Sequence, residues 1–435
     1  MVKKIIRRCI PEHLLNTYHW CKAHIAAFTS GHPSREMIVI GVTGTKGKSS
    51  VANLLWAGLT GAGMNVGVFS TANIRIGREE LLNPYHMTMP NPFVLQRFLR
   101  RMARSGCDIA IAETTSEGIL QYRHSDIAYD ILVFTSLTPE HIERHKTFEN
   151  YRAVKQIIFR ELLNQPRKTI RGREVPKAII VNADSPESPH FLKFPADRKE
   201  TYGESPDAGI RAEAIKESVH GISFTVHMGA DRRDVSLKLL GRFSAINALP
   251  AFAVGRILGL RADAIAHGLE NLLVIPGRME KVHERPLVIV DYAHEPESLR
   301  AALISVRALH PTGRILLVFG ATGGGRDKAK RPVMGRIGAN HADVLFVTND
   351  DPFDENPCAI MEMVARGCRD GGKADDKDLF LIEDRRVAIR AALTAAHADD
   401  VVLIAGKGAE QILHINGTRM PWDDRRVVQE ELSRK

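Results

Sequence analysis

A short apolar run over residues 37–42 leads straight into the turn Gly41-Val42-Thr43-Gly44-Thr45-Lys46-Gly47-Lys48-Ser49-Ser50, and an amphipathic segment over residues 49–62 follows. A strand, a glycine-rich turn and a helix in that order form half of a βα unit, which needs a parallel neighbour to bury its strand. Further apolar runs at residues 66–69, 108–113, 131–134 and 178–181 supply those neighbours, each set among longer segments of helical spacing. Runs at 222–226 and 235–239, flanked by glycine and charged turns, predict antiparallel strands added to the same sheet, and residues 245–258 return to helix. After the pair Pro276-Gly277 a second series begins, with runs at 287–290, 315–319, 344–347 and 401–405. The expected fold is therefore α/β: a central, P-loop-type, mostly parallel sheet domain (residues 37–276), then a Rossmann-like α/β C-terminal domain (277–435), preceded by a short basic N-terminal segment (1–36).

Composition narrows the partners. The 60 basic and 51 acidic residues leave a net charge of +9, which suits acidic ligands such as nucleotides. The positive charges are dispersed and aromatic residues make up only 6% of the chain, so no base-stacking platform for nucleic acid is expected. No apolar stretch approaches the roughly 20 residues of a membrane-spanning helix. The basic start (Lys3, Lys4, Arg7, Arg8) is followed by Pro11, Glu12, His13, Asn16 and His19, unlike a signal-peptide core. Five widely spaced cysteines with no C-x-x-C pair read as free thiols in a reducing cytosol, and a cytoplasmic location is expected.

The glycine turn carries the chemistry. Gly44 and Gly47 let backbone N–H groups of Thr45, Lys46 and their neighbours converge on phosphate oxygens at a helix N-terminus. Lys48 brings a positive charge to the outer phosphates, and Ser49, next to Ser50, offers a hydroxyl to Mg²⁺. Val42 stands where the strict G-x-x-x-x-G-K-[ST] pattern has its first glycine.

This variant spacing resembles the G-T-N-G-K-[ST] loop of the Mur ligase superfamily, with Lys46 in place of Asn; folylpolyglutamate synthases and cyanophycin synthetases share the loop. Glu113-Thr114-Thr115-Ser116 resembles the family's E-x-S-S segment, which implies Glu113 as a Mg²⁺ ligand. Residues 134–145 resemble F-T-N-L-x-x-D-H-L-D-x-H, with His141 in the place of the metal-binding histidine and with Ser136 and Glu140 departing from the pattern. His141 and His145 are also spaced for zinc, but no third ligand with suitable spacing is apparent. Residues 151–159 resemble the segment whose lysine, here Lys155, is carbamylated and becomes an oxygen ligand of a second Mg²⁺. Residues 240–249 resemble G-x-F-N-x-x-N-A-L, implying Asn247 at the adenine, and Pro276-Gly277-Arg278-Met279-Glu280 matches P-G-R-x-E. Asp291-Tyr292-Ala293-His294-Glu295-Pro296 resembles D-Y-A-H-x-P, whose Asp and His (Asp291, His294) approach the ribose and phosphates. Gly323-Gly324-Gly325-Arg326-Asp327 with Lys330-Arg331 resembles G-G-x-R-D-x-x-K-R, and Ala405-Gly406-Lys407-Gly408-Ala409-Glu410 resembles A-G-K-G-H-E with Ala409 replacing His.

The order of these motifs is similar to that of one branch, the muramyl tripeptide synthetases. The resemblance implies an ATP- and Mg²⁺-dependent, ADP-forming ligase of peptidoglycan precursor synthesis, joining a diamino acid to UDP-N-acetylmuramoyl-L-Ala-D-Glu through an acyl phosphate. Lys48, Lys330 and Arg331 would stabilise the transferred phosphoryl group, Ser49, Glu113, His141 and Lys155 would hold metal, and Thr88, Ser116 and Arg123 would face the muramoyl peptide. Domain closure would bring the amino-acid site over the phosphates. Two departures stand out. Only some 36 residues precede the first strand, where the branch has a UDP-holding domain of about one hundred. This segment is expected to pack on the next domain, the alternatives being part of a uridine pocket or a weak membrane-surface contact. Asp350-Asp351-Pro352-Phe353 replaces D-N-P-R, so Phe353 cannot clamp a distal carboxylate, while Asp350, Asp351, Gly406 and Glu410 remain at the amino-acid site, Asp351 favouring a cationic side chain and Glu410 the incoming ammonium. A monomer is expected. The competing readings are a related ligase with another acyl acceptor, lipid-linked or folate-type, and a nucleotide-binding protein without catalysis.

Overall fold

The computed structural model describes residues 11–77, 79–85, 87–138, 145–325, 327–415 and 417–434. Its first sheet is built from β1 (Ile38–Thr43), β2 (Val66–Phe69), β3 (Asn73–Ile76), β4 (Glu79–Leu82), β5 (Ile109–Glu113) and β6 (Ile131–Phe134). After the separate hairpin β7 (Lys168–Ile170) and β8 (Arg173–Val175), it continues with β9 (Ala178–Asn182), β10 (Arg198–Gly203), β11 (Ile210–Ser218), β12 (Gly221–Met228) and β13 (Asp231–Leu237). The strand order is β13-β12-β11-β10-β9-β6-β1-β5-β2-β3-β4. From β11 to β2 the neighbours run parallel, and antiparallel strands extend both edges.

The central parallel strands β9, β6, β1, β5 and β2 are largely apolar because both of their faces are covered. Ile38, Ile40 and Val42 of β1 join one core with the helices Lys48–Gly61, Phe243–Leu258 and Ala262–Glu270. Val39, between them, points into the other core, with Pro92–Arg104 and Phe148–Glu161. The residues between 207 and 240 do extend the same sheet, as the sequence implies.

The second sheet has the order β14-β15-β19-β16-β17-β18, from β14 (Glu280–Glu284), β15 (Leu287–Asp291), β16 (Ile315–Phe319), β17 (Val344–Val347), β18 (Leu379–Leu381) and β19 (Val401–Ala405). Only β14 is antiparallel to its neighbour. A hairpin, β20 (Ile412–Ile415) and β21 (Thr418–Pro421), follows. Ligand sites in such sheets lie beyond the carboxyl ends of parallel strands, and this is where the residues discussed next collect.

The helix Glu12–Thr29 packs on Pro92–Arg104, burying Ala23, Ala26 and Ala27. Among the described residues no helix is long and apolar enough to cross a membrane.

Candidate active site

The turn after β1 is held by the segment after β6. Thr45 N donates to Ser136 O (2.7 Å), Lys46 N to Ser136 Oγ (3.3 Å), and Thr135 Oγ to Lys46 O (2.5 Å). Gly44, at φ +147°, has Thr135 Oγ 2.0 Å from where a Cβ would stand, so this close approach admits only glycine. Gly47, at φ +78°, precedes the helix Lys48–Gly61, and the Asn247 amide lies against it, 2.8 Å from where a Cβ would stand. Lys48 Nζ folds onto Thr45 O at 2.7 Å, while Ser49 and Ser50 are buried in the first helical turn. Lys155, buried on the helix Phe148–Glu161, donates to Gly44 O at 2.8 Å. Thr45 Oγ also meets Tyr151 OH at 3.2 Å.

Glu113 ends β5 beside this loop. Its carboxylate accepts from Ser49 Oγ (2.9 Å), Thr71 N (2.8 Å) and Thr71 Oγ (3.0 Å). Thr71 Oγ in turn meets Thr88 Oγ at 2.7 Å. Ser116 Oγ is 3.1 Å from His145 Nε2, and Arg123 donates to Met89 O and, at 2.6 Å, to Gln121 Oε1. Thr88 is thus joined to the Glu113 carboxylate, and Ser116 stands three residues beyond it on the following helix. His141 lies outside the described residues. Among the described residues no three His, Cys, Asp or Glu side chains converge as a metal centre.

The C-terminal domain reaches this cluster through Arg278, which donates to Ser49 Oγ at 3.1 Å and lies over the Tyr292 ring, 4.3 Å from its centroid. Tyr292 OH is 3.2 Å from Glu410 Oε1, and the other oxygen of Glu410 is 2.6 Å from Lys407 Nζ. Lys407, fully buried, also pairs with Asp351 at 2.8 Å. Burial opposes the charge on Lys407, yet Glu410, Asp351 and Asp350 together raise its pKa above the ordinary lysine value. Asp350 is buried with Oδ2 unpartnered, and burial, opposed by Lys407 and Arg385, pushes its carboxyl up to about 6. Gly406, at φ +118°, leaves room for that carboxylate: Asp350 Oδ2 is 2.6 Å from where a Cβ would stand. Asp291 accepts from Met279 N (2.7 Å) and Ala293 N (2.9 Å), its pKa raised by burial, and His294 Nδ1 faces Tyr292 O at 2.7 Å.

Three expected residues are engaged differently from the sequence reading. Asp351 gives one oxygen to Lys407 and the other to His414 N (2.8 Å), so its carboxylate is taken within the chain. Lys330 pairs with Glu295 (2.5 Å) and Arg331, fully buried, with Glu355 (3.0 Å), both within the C-terminal domain. Sequence reasoning passed over Thr71, Tyr151, Tyr292 and Lys407. Thr71 had a usable signal, since it follows the carboxyl end of a parallel strand; Lys407 stood inside a quoted motif without a role.

Comparison with known proteins places this arrangement. The Mur ligase middle domain matches residues 42–255, and the Mur ligase glutamate ligase domain matches residues 277–408. The UDP-N-acetylmuramoyl-L-alanyl-D-glutamate–2,6-diaminopimelate ligase of Halalkalibacterium halodurans is 35% identical over 428 residues, which is 98% of this chain and 84% of that protein. The UDP-N-acetylmuramyl-tripeptide synthetase of Roseiflexus is 35% identical over 408 residues, 92% of this chain and 80% of that protein. A solved structure of a UDP-N-acetylmuramoyl-L-alanyl-D-glutamate–2,6-diaminopimelate ligase superposes with a TM-score of 0.60 at 28% identity, covering 92% of this chain and 78% of its own. Folylpolyglutamate synthase of Mycobacterium tuberculosis, complexed with ADP and AMPPCP, shares the fold with a TM-score of 0.73 at 19% identity, over 91% of this chain and 94% of its own.

Proposed function

Because the chain belongs to the Mur ligase family, whose members are ATP-dependent, ADP-forming ligases, we propose that it joins a diamino acid to UDP-N-acetylmuramoyl-L-alanyl-D-glutamate in peptidoglycan precursor synthesis. The observation that carries the reading is the continuous chain Glu113–Ser49–Arg278–Tyr292–Glu410–Lys407, which connects the phosphate loop to the carboxyl end of the second sheet. A carboxylate oxygen of the dipeptide attacks the γ-phosphorus of ATP and ADP leaves. The amine then attacks the acyl phosphate carbon, loses a proton and expels inorganic phosphate.

In this reading the loop amides and Lys48 bind the phosphates and hold them in line. Ser116, Arg123 and Thr88, which is linked to Glu113 through Thr71, position the dipeptide carboxylate. Glu410, with the buried Asp350, makes the amino-acid side acidic and draws in the ammonium groups of the second substrate. Phe353 stacks on His414 (ring centroids 4.8 Å apart) and brings no guanidinium for a distal carboxylate. Lys330 and Arg331 act on the phosphoryl group only after domain closure, Arg331 after release from Glu355. The Glu113 carboxylate and Ser49 hydroxyl form a hard oxygen donor set, and neutral donors surround the carboxylate, which fits Mg²⁺. Glu113, Ser49, His141 and a carbamylated Lys155 would hold it. Bound there, Mg²⁺ supplies charge neutralisation at the transferring phosphoryl group. The Asn247 amide, beside Gly47, serves the adenine edge, and Asp291 and His294 the ribose and phosphates. We place the enzyme in the cytoplasm as a monomer, with residues 37–276 and 277–435 as its two domains.

The test is product mass spectrometry with ATP, Mg²⁺, UDP-muramoyl dipeptide and a diamino acid, run beside lipid-linked muropeptide and folate acceptors. A UDP-muramoyl tripeptide supports the proposal; product from another acceptor alone refutes it. Lys48→Ala is expected to lower ADP formation by roughly a thousandfold or more, and retained turnover would remove Lys48 from its assigned role.

A further inference from the structure

Thr71 touches both oxygens of the Glu113 carboxylate from the turn that joins β2 to β3. The backbone of that turn is fixed. Ser70 N donates to Asn73 O (3.0 Å) and Ser70 Oγ to Asn73 Oδ1 (2.9 Å). The Asn73 and Asn53 side-chain amides exchange two hydrogen bonds (2.8 and 2.9 Å), and Asn53 Nδ2 also donates to Ser49 O at 2.9 Å. Ser70, Asn73 and Asn53 are fully buried, so the turn is tied to the helix Lys48–Gly61 that follows the phosphate loop. What such a turn leaves adjustable is the direction of a proton. Thr71 Oγ lies 3.0 Å from Glu113 Oε1 and 2.7 Å from Thr88 Oγ. A carboxylate only accepts, so the single hydroxyl proton of Thr71 goes to Glu113 and that of Thr88 goes to Thr71. Thr88, half-buried, then turns only lone pairs outward.

We propose that Thr71 is a positioning residue that couples the cation site at Glu113 to the dipeptide site at Thr88 by reversing this two-hydroxyl relay. The inference rests on the ligase reading, which puts the dipeptide carboxylate at Thr88. Glu113 Oε2 already accepts from Ser49 Oγ and Thr71 N, whereas Oε1 accepts from the Thr71 hydroxyl. A cation held by the carboxylate competes with that hydroxyl proton for Oε1. Thr71 then donates to Thr88, and Thr88 donates outward to the dipeptide carboxylate. Each step only turns a hydroxyl about its C–O bond, which the buried turn permits without moving its backbone. Coupling of this kind is reciprocal: the cation tightens the dipeptide by the same factor as the dipeptide tightens the cation. A Thr71 that merely buttressed Glu113 would affect cation binding and leave the factor unchanged.

Binding to the full chain without nucleotide tests the proposal, with Mn²⁺ as the cation probe read by its paramagnetic resonance and UDP-muramoyl dipeptide read by calorimetry. Each ligand is expected to tighten the other by roughly fivefold or more. Thr71→Val keeps the backbone donor to Glu113 and removes the relay, so the mutual factor should fall to near one; Thr71→Ser should restore it. Thr88→Val takes away the acceptor for the displaced Thr71 proton, so Mn²⁺ alone should bind about fivefold more weakly, the worth of one hydrogen bond. In Thr71→Val that second substitution should change nothing. An unchanged factor in Thr71→Val, no rescue by Thr71→Ser, or Mn²⁺ binding that is absent or indifferent to Thr88→Val overturns the proposal. The Mn²⁺ series needs no dipeptide: if it behaves as expected while the dipeptide binds under no condition, the relay stands and the ligase reading fails.

Discussion

Two buried ionic clusters mirror each other across the molecule. At the amino end of the central sheet one carboxylate, Asp130, lies between two ammonium groups, Lys168 at 2.5 Å and Lys177 at 2.8 Å. Near the carboxyl end of the second sheet one ammonium group, Lys407, lies between two carboxylates, Asp351 at 2.8 Å and Glu410 at 2.6 Å. The first cluster is closed. Its lysines also donate to the carbonyls of Met37, Ala128, Tyr129 and Pro166, and Asp130 accepts from Val39 N as well. The second remains open on one side, with an unpartnered Asp350 oxygen beside it and with Glu410 passing on to Tyr292. A saturated buried cluster can only fix the fold, whereas an unsaturated one at a strand end keeps the capacity to bind a ligand.

The largest effect that would break this contrast is expected at Asp130. Asp130→Ala leaves two buried lysines without their counter-ion and should cost about 3–5 kcal/mol of stability in chemical denaturation, with kcat of the remaining folded enzyme unchanged. A clear fall in kcat would give the closed cluster a part in function.

The clusters should also answer to pH in opposite senses. Burial, opposed by Asp130, lowers the Lys168 pKa from 10.5 to about 8. The unfolded chain therefore holds more protons between these values, and stability should rise with pH across that window by about 3 kcal/mol. For Asp350, raised from 3.8 to about 6, stability should fall as pH climbs through that range. Thermal melts of Lys168→Met and Asp350→Asn should each flatten their own slope only; a shared slope would show that neither group controls it.

Smaller effects sharpen the functional side. Glu410→Gln should lower kcat/KM for the amino acid by roughly a hundredfold, about 2.7 kcal/mol, with ATP affinity and melting temperature nearly unchanged. An equal loss toward ATP would make Glu410 a structural residue. Tyr292→Phe keeps the ring under Arg278 and removes one hydrogen bond, so a fewfold loss, about 1 kcal/mol, is expected in the same assay. A hundredfold loss would mean that the hydroxyl touches substrate.

The parallel strands were plain in the sequence because strands buried on both faces are unbroken apolar runs, as in Ile131–Phe134 and Val401–Ala405. Two other strands hid for the opposite reason: the edge strand Glu79–Leu82 is largely exposed, and Arg198–Gly203, although paired on both sides, begins with exposed charged residues. For the candidate site, residues at strand ends and in the glycine turn were legible, because βα topology fixes where such residues meet. Pairings across domains were not, since no local pattern brings Arg278 to Ser49 or spends Asp351 on Lys407. The helix at Glu12–Thr29 was foreseen as packing on the next domain, but periodicity alone did not reveal that alanines face inward.

Phosphate release by the purified chain with ATP, Mg²⁺ and UDP-muramoyl dipeptide, with lysine, meso-diaminopimelate, ornithine or no amino acid, tests the central claim most directly. Release that depends on one of these diamino acids and disappears in Lys48→Ala is the expected result. Release indifferent to every amino acid, or none despite measurable ATP binding, would contradict it.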